Sequence, residues 1–249
     1  MLTIGINASR AKSGGALAHL KGILLNCKAT QLGISEVHVF SHDSLYEQLP
    51  NFPWLKKHRF KQSSSSLFSQ LLWEYFLLPK LLKYHKCQIL FNLDAGSICP
   101  FKPAVTMSRD MLSYEAGEME RFGMSKARLR LIILKYIQNV SFKRSQGVIF
   151  LTEYASKEIQ KSCGPLKNIR VIPHGISENF RIKKPPRKDK ETQSAFELIY
   201  VSNIDYYKHQ WNVVAAVEIL NSTELNLNLT LVGDLEGPAF KELQKQILT

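Results

Sequence analysis

Acidic residues are scarce in this chain. Its 21 aspartates and glutamates face 33 lysines and arginines, for a formal net charge of +12 over 249 residues. That imbalance calls for an anionic partner or surface. Long apolar runs are missing too: no window approaches the 18 or so consecutive apolar residues of a membrane-spanning helix. The N-terminus enters a strand at Leu2 to Ile6 without the basic start and apolar core of a secretory leader. Cysteine is sparse: Cys27, Cys87, Cys99 and Cys163 form no CxxC pair, so reduced thiols and a cytoplasmic setting are expected. No helix-turn-helix, zinc-finger or RNA-binding signature occurs, and nucleic acid is not expected as the partner. Nucleoside diphosphates and anionic lipid head groups account for the same charge. His38 and His42 are four apart, but on a strand and its following loop, so no metal site is expected.

What is present is an alternation of short apolar runs and helix-period segments. The chain is organised around Phe196 to Leu220 (FELIYVSNIDYYKHQWNVVAAVEIL). Phe196 to Val201 reads as a buried strand, and Ser202 to Asp205 as a turn. Val213, Ala216, Val217 and Leu220 then lie on one helical face. Lys208 therefore sits between a strand's carboxyl end and a helix N-terminus, a place where open α/β sheets bind ligands and anions are favoured. A phosphate contact and a solvated surface charge are both compatible with that position.

The N-terminal third repeats the pattern. Leu2 to Asn7 is a strand, Ala8 to Gly15 a loop, and Leu17, Leu20, Leu24 and Cys27 mark a helix stopped near Gly33. Gly14 and Gly15 either let a phosphate approach the backbone or simply make a turn. Val37 to Phe40, Gln88 to Leu93, Ala104 to Ser108, Gly147 to Leu151 and Ile169 to Pro173 read as further strands. Between them lie a polar loop at Ser63 to Ser66 and an apolar stretch at Leu67 to Tyr84, read as a buried crossover helix interrupted at Pro79 in preference to a membrane-surface helix. Ser125 to Arg144 forms a basic helix whose Leu129, Ile132, Ile133, Tyr136, Ile137 and Val140 are expected to face a core. Its basic side chains (Arg128 and Arg130 among them) read as a solvated face or a membrane-facing patch. Thr152 is placed to cap the next helix. Arg109 and Asp110 follow the Ala104 to Ser108 strand, as a binding pair or a surface ion pair. Arg181 to Ser194 is a charged, proline-bearing linker.

These segments resemble the retaining glycosyltransferases of family 4. Tyr200-Val201-Ser202-Asn203 followed by Lys208 is similar to the opening of that family's second domain, whose lysine contacts the donor diphosphate. Gly14 and Gly15 match its first-loop glycine pair, and Pro173-His174-Gly175 its interdomain turn. Two departures stand out: Arg109 replaces the histidine of the family's His-Asp pair, with Asp110 matching the aspartate, and Asn203 occupies the place of an arginine five residues before the lysine.

The resemblance implies an α/β protein of the GT-B type. Residues 1–175 would form a complete N-terminal Rossmann-like, acceptor-side domain, and residues 176–249 the start of a second Rossmann-like domain that binds nucleotide-sugar. No Glu-x7-Glu type segment follows Gly233, so a truncated second domain and impaired activity are expected. The implied catalytic residues are Arg109 and Asp110, and the donor-binding residues Gly14, Gly15, Asn203 and Lys208. The implied partners are a nucleotide-sugar donor and a lipid-linked or polysaccharide acceptor, with no metal or other cofactor. An anionic membrane surface, the inner face of the plasma membrane, would be a further partner. Two rivals remain: a nucleotide-sugar epimerase of the same architecture, and a non-catalytic membrane or interaction fragment.

Overall fold

The computed structural model describes residues 1–11, 14–60, 67–176, 180–181, 195–223, 225–233 and 238–247. The loop expected at Ser63 to Ser66 and residues 182–194 of the linker lie outside them. Two compact units emerge, Met1–Ala116 with Lys126–Arg181, and Gly117–Ser125 with Ile182–Thr249. Residues 117–125 group with the second unit. The Phe122 ring lies 6.1 Å from that of Tyr206, and Glu118 pairs with His209 at 3.4 Å.

The first unit is built on seven parallel strands: β1 (Leu2–Ala8), β2 (Ile34–His42), β3 (Leu55–Phe60), β4 (Ile89–Asn92), β5 (Ala104–Met107), β6 (Gly147–Phe150) and β7 (Ile169–Val171). Their order is β3-β2-β1-β4-β5-β6-β7. The chain starts inside the sheet, steps outward through β2 to β3, then crosses back to β4 on the other side of β1. Ile6 lies beside Phe91 and Asn7 beside Asn92 at that junction. A parallel sheet needs cover on both faces, which explains the near-continuous apolar runs. Helix α1 (Gly14–Asn26) supplies Leu20 and Leu24 to a core with Ile6, Val37, Val39 and Leu93. It ends ahead of the stop expected at Gly33, which at φ +67° instead turns the chain into β2.

After β2, the short helix α2 (Asp43–Tyr46) leads to β3, a strand missed in the sequence. Next come α3 (Leu67–Leu72), a π-turn over Trp73–Leu77 and α4 (Leu78–Tyr84). The interruption expected at Pro79 is thus a widened turn just before it: the Leu78 N–H donates to the Trp73 carbonyl, five residues back, and Pro79, which has no N–H to donate, follows directly. Leu78 and Leu82 pack with Phe40, Cys87, Leu90 and Ala104. Only part of this segment is buried: Phe68, Phe76 and Leu77 are exposed.

Helix α5 (Lys126–Arg144) corrects another expectation. Leu129, Ile132, Ile133 and Tyr136 are exposed, while the buried residues are Gln138, Ser141 and Phe142. The C-terminal half of the helix meets the sheet; the stripe read as core lies mainly in its outer half. Helix α6 (Glu153–Cys163) begins as expected, with Thr152 Oγ1 accepting the Ala155 N–H at 3.0 Å.

The second unit pairs β8 (Phe196–Val201) with β9 (Leu227–Val232), parallel and in register from Phe196/Leu227 to Val201/Val232. Helices α7 (Gln210–Asn221) and α8 (Pro238–Ile247) follow the two strands. Leu243 and Ala239 of α8 are buried, whereas Ile199 and Val201 of β8 are two-thirds exposed.

Candidate functional site

In the first unit the strand order reverses between β1 and β4, and ligands of open α/β sheets bind at the carboxyl ends beside such a switch point. A small cavity occurs at that place, lined by Asn7 to Ala11 after β1, Leu93 and Asp94 after β4, and Arg109 after β5. Two guanidinium groups and two carboxylates meet around it. Arg109 Nη2 lies 3.7 Å from Asp94 Oδ2, and Arg10 Nε 3.4 Å from Glu74 Oε1. Both arginine side chains are 14% exposed, and Arg10 Nη2 and Arg109 Nε have no hydrogen-bond partner among the described residues. Buried N–H donors without partners are costly, so this edge is suited to an anionic or carbonyl-bearing ligand.

Glu74 reaches the edge from the π-turn and is fully buried. The Ile98 N–H donates to its Oε2 at 3.2 Å, and the Ser9 hydroxyl lies 3.1 Å from its Oε1. Burial raises its pKa, with Arg10 and these hydrogen bonds working against the rise. His19, on α1, meets His174 of the Pro173-His174-Gly175 turn with their Nδ1 atoms 2.9 Å apart. Burial, and then the nearby positive charges of His174 and Arg109, lower the His19 pKa to about 4. At neutral pH it is an uncharged imidazole beside a guanidinium.

Gly14 opens α1 at φ +60°, and a Cβ at Gly14 or Gly15 would meet open space. Both are exposed at the helix N-terminus, where unpaired N–H groups favour anions. Residues 12 and 13 of this loop lie outside the described ones. Asp110 stands apart from Arg109: it is exposed, and its Oδ1 accepts the Leu112 N–H at 2.9 Å. That bond shapes the loop, and Asp110 does not line the cavity.

In the second unit, Ser202 to Asp205 leave the carboxyl end of β8, and Tyr206–Lys208 form a 3-10 turn directly before α7. Asp205 caps that turn by accepting the Tyr206 N–H at 2.7 Å. The Lys208 carbonyl accepts from Tyr200 Oη at 2.7 Å, and the Asn203 carbonyl from Gln210 Nε2 at 2.9 Å. Backbone anchoring thus fixes where the half-buried Lys208 side chain starts, while its Nζ lies 4.8 Å from the Tyr207 ring centre. Among the described residues no carboxylate pairs with it. His209 takes the left-handed conformation at φ 55° and offers α7 no side-chain cap. Beside this loop Gly233 directly follows β9, and a Cβ there would overlap the Ser202 carbonyl oxygen.

The structure therefore unites Arg109 with Arg10, Asp94, Glu74 and His19, four residues the sequence reading left out. Two signals were available: an arginine inside the first strand's loop, and a lone acid within the apolar run LLWEYFLL.

No known family profile matches the chain, and no curated protein does. Solved structures do match. A lipopolysaccharide outer core galactosyltransferase superposes with a TM-score of 0.58 at 14% identity, over 99% of this chain and 64% of its own. Sucrose-phosphate synthase from Thermosynechococcus elongatus gives 0.64 at 13%, over 98% and 66%. A UDP-N-acetylglucosamine 2-epimerase from Listeria monocytogenes gives 0.53 at 14%, over 99% and 66%. The chain thus spans just under two thirds of these proteins' lengths. At such identities the likeness shows the fold: α/β with a parallel seven-strand sheet, among neighbours that are mostly GT-B glycosyltransferases.

Proposed function

We propose that this chain belongs to a retaining, family 4-like hexosyltransferase. It would move a sugar from a nucleoside diphosphate donor to a lipid-linked or polysaccharide acceptor. The observation that carries the proposal is Lys208, anchored through its backbone between the carboxyl end of β8 and the uncapped N-terminus of α7. Charge develops on the departing diphosphate as the glycosidic bond breaks, and a fixed ammonium with a helix dipole stabilises it there. In this reading residues 176–249 take the nucleotide and residues 1–175 the acceptor. Asn203 shapes the nucleotide-binding loop, and Gly14 and Gly15 present backbone N–H groups to anionic oxygens. Arg109 binds substrate oxygen, held by Asp94, and Asp110 fixes the loop that carries it. No metal is assigned to this chemistry.

The test is calorimetric titration of the chain with uridine and guanosine diphosphates. One is expected to bind, and Lys208→Ala to weaken it roughly tenfold or more, as loss of a charge-assisted contact costs about 1.5–3 kcal/mol. Equal affinity in the variant, or binding of neither nucleotide, overturns the assignment. Release of free nucleotide from a nucleotide-sugar without any acceptor favours an epimerase.

The same proposal seats the protein on an anionic membrane surface. Among the described residues no helix is long and apolar enough to cross a membrane. Helix α5 does expose Leu129, Ile132, Ile133 and Tyr136 beside Arg128, Arg130 and Lys135, a composition suited to an interface. Basic residues near such a surface contribute about 1 kcal/mol each. The double variant Arg128→Glu/Arg130→Glu is therefore expected to lose at least tenfold in binding to phosphatidylglycerol vesicles; unchanged binding removes α5 from this role.

A further inference from the structure

Three imidazoles from three separate elements converge on one flank of the first sheet. His38 is on β2, His58 on β3, and His85 is the C-cap of α4. The strand register pairs His38 with Lys56 and Phe40 with His58, which puts His38 and His58 on the same face two positions apart. Leu78 and Leu82 hold α4 against that face beside Phe40, which delivers His85 to the two strand histidines. One ring nitrogen from each residue lies within 4.8 Å of the other two, and His38 Nδ1 is 2.9 Å from His58 Nε2. The ring centres are 4.3 to 5.1 Å apart.

We infer that His38, His58 and His85 form a binding site for a divalent transition-metal ion, zinc by its chemistry. A tetrahedral zinc ion with bonds of about 2.0–2.1 Å holds its nitrogens roughly 3.4 Å apart. That value exceeds the 2.9 Å between His38 Nδ1 and His58 Nε2 and falls inside the 4.8 Å within which all three donor nitrogens lie, so modest ring rotations close the site. Glu36 supplies what such sites need behind the ligands: its Oε2 lies 3.2 Å from His38 Nε2. A proton on Nε2 donated to that carboxylate leaves Nδ1 bare and aimed at the cluster, the arrangement by which an outer carboxylate fixes a ligand's tautomer. His38 is buried while His58 and His85 are half-exposed, which gives the ion a path in and leaves a fourth position for water. Neutral nitrogen donors select zinc, nickel or copper over magnesium and calcium, which require oxygen.

The three ligands lie on the flank of the sheet, not at its carboxyl edge, and would hold the ion whether or not the chain transfers sugar. Its role is a clamp. Among the described residues β3 is an edge strand bonded to β2 alone, and the ion ties it to β2 and to the end of α4.

The whole chain, stripped of metal with chelator, is titrated with zinc chloride against a chromophoric competitor, and with cobalt chloride by visible absorption. One equivalent is expected, with a dissociation constant in the micromolar range or below. The cobalt form should show the intense visible bands of a tetrahedral site. His85→Ala and His58→Ala should each weaken binding at least tenfold, and Glu36→Gln tenfold to a hundredfold. His19→Ala, which removes a member of the separate His19–His174 pair, should leave it unchanged. Less than half an equivalent bound at 100 µM zinc overturns the site. Binding that survives His85→Ala, or that disappears in His19→Ala, overturns it equally. Circular dichroism of each metal-free variant confirms that a lost site is not a lost fold.

Discussion

Glu74→Ala is expected to lower the stability of the first unit by about 3–5 kcal/mol, the usual cost of removing one partner from a buried ion pair. Nothing can compensate easily. Glu74 has no exposed surface, and the Arg10 side chain it faces is 14% exposed. Alanine leaves that guanidinium, the Ile98 N–H and the Ser9 hydroxyl facing a void. Urea denaturation followed by tryptophan fluorescence measures the loss, and a change below about 1 kcal/mol, the worth of an exposed pair, contradicts the geometry. Glu74→Gln separates charge from shape. Because burial lifts the folded-state pKa of Glu74 above the ordinary 4.5, the native state holds this proton more tightly than the unfolded chain does. The stabilisation from that proton is complete below the unfolded pKa and is lost as pH rises through the folded one. Glutamine carries no such titration. Relative to wild type, Glu74→Gln should therefore gain stability between pH 4 and pH 8, and a gap that is flat or shrinks over that range refutes the assignment.

Gly233→Ala is expected to cost on the order of 3 kcal/mol, the upper end for overpacking, and to abolish the nucleotide binding proposed for Lys208. The added Cβ would overlap the Ser202 carbonyl oxygen and sit 2.7 Å from Ser202 C and 3.2 Å from Asn203 Cα. All three are backbone atoms, so no side chain can rotate aside. The two strands are locked in register up to Val201/Val232, and the Ser202 N–H donates to the Val232 carbonyl at 2.8 Å. The displacement must fall on Ser202 and Asn203, whose carbonyl holds Gln210 at the start of α7. Gly22→Ala is the opposite case. A Cβ there meets open space inside α1, so a gain of about 0.5–1 kcal/mol is expected from helix propensity. Similar midpoints for the two variants would show that Gly233 is not the tight contact described.

The sequence disclosed the strands that are buried on both sides, because burial demands unbroken apolar runs such as LTIGIN and GVIF. It concealed β3 (LKKHRF) for the converse reason: an edge strand has one neighbour and tolerates lysine and arginine. In α5 the apolar spacing was real but the inferred burial was not. Helical periodicity identifies a face, and only packing decides how much of it is covered. Lys208, Gly14 and Gly15 were legible as positions because strand, turn and helix follow each other locally. The Arg10, Glu74, Asp94 and Arg109 group, like the three histidines, is assembled by residues far apart in the chain. Nothing in the local pattern of His38 and His42 pointed to His58 or His85, because cross-strand register and the seat of α4 bring those rings together.

The π-turn also sets the phase of its helix. Gln70, Glu74, Leu78 and Leu82 recur every four residues, and Glu74, Leu78 and Leu82 are fully buried. In a straight α-helix of 3.6 residues per turn, each such step overshoots by about 40°, so the stripe would wind off the sheet. The wider i→i+5 turn at Trp73–Leu77 absorbs that drift. The segment behaves as an insertion held in place by its two ends, an acid at one and leucines at the other. Shortened by one residue here, the helix keeps Leu78 and Leu82 seated only by turning Glu74 away from Arg10.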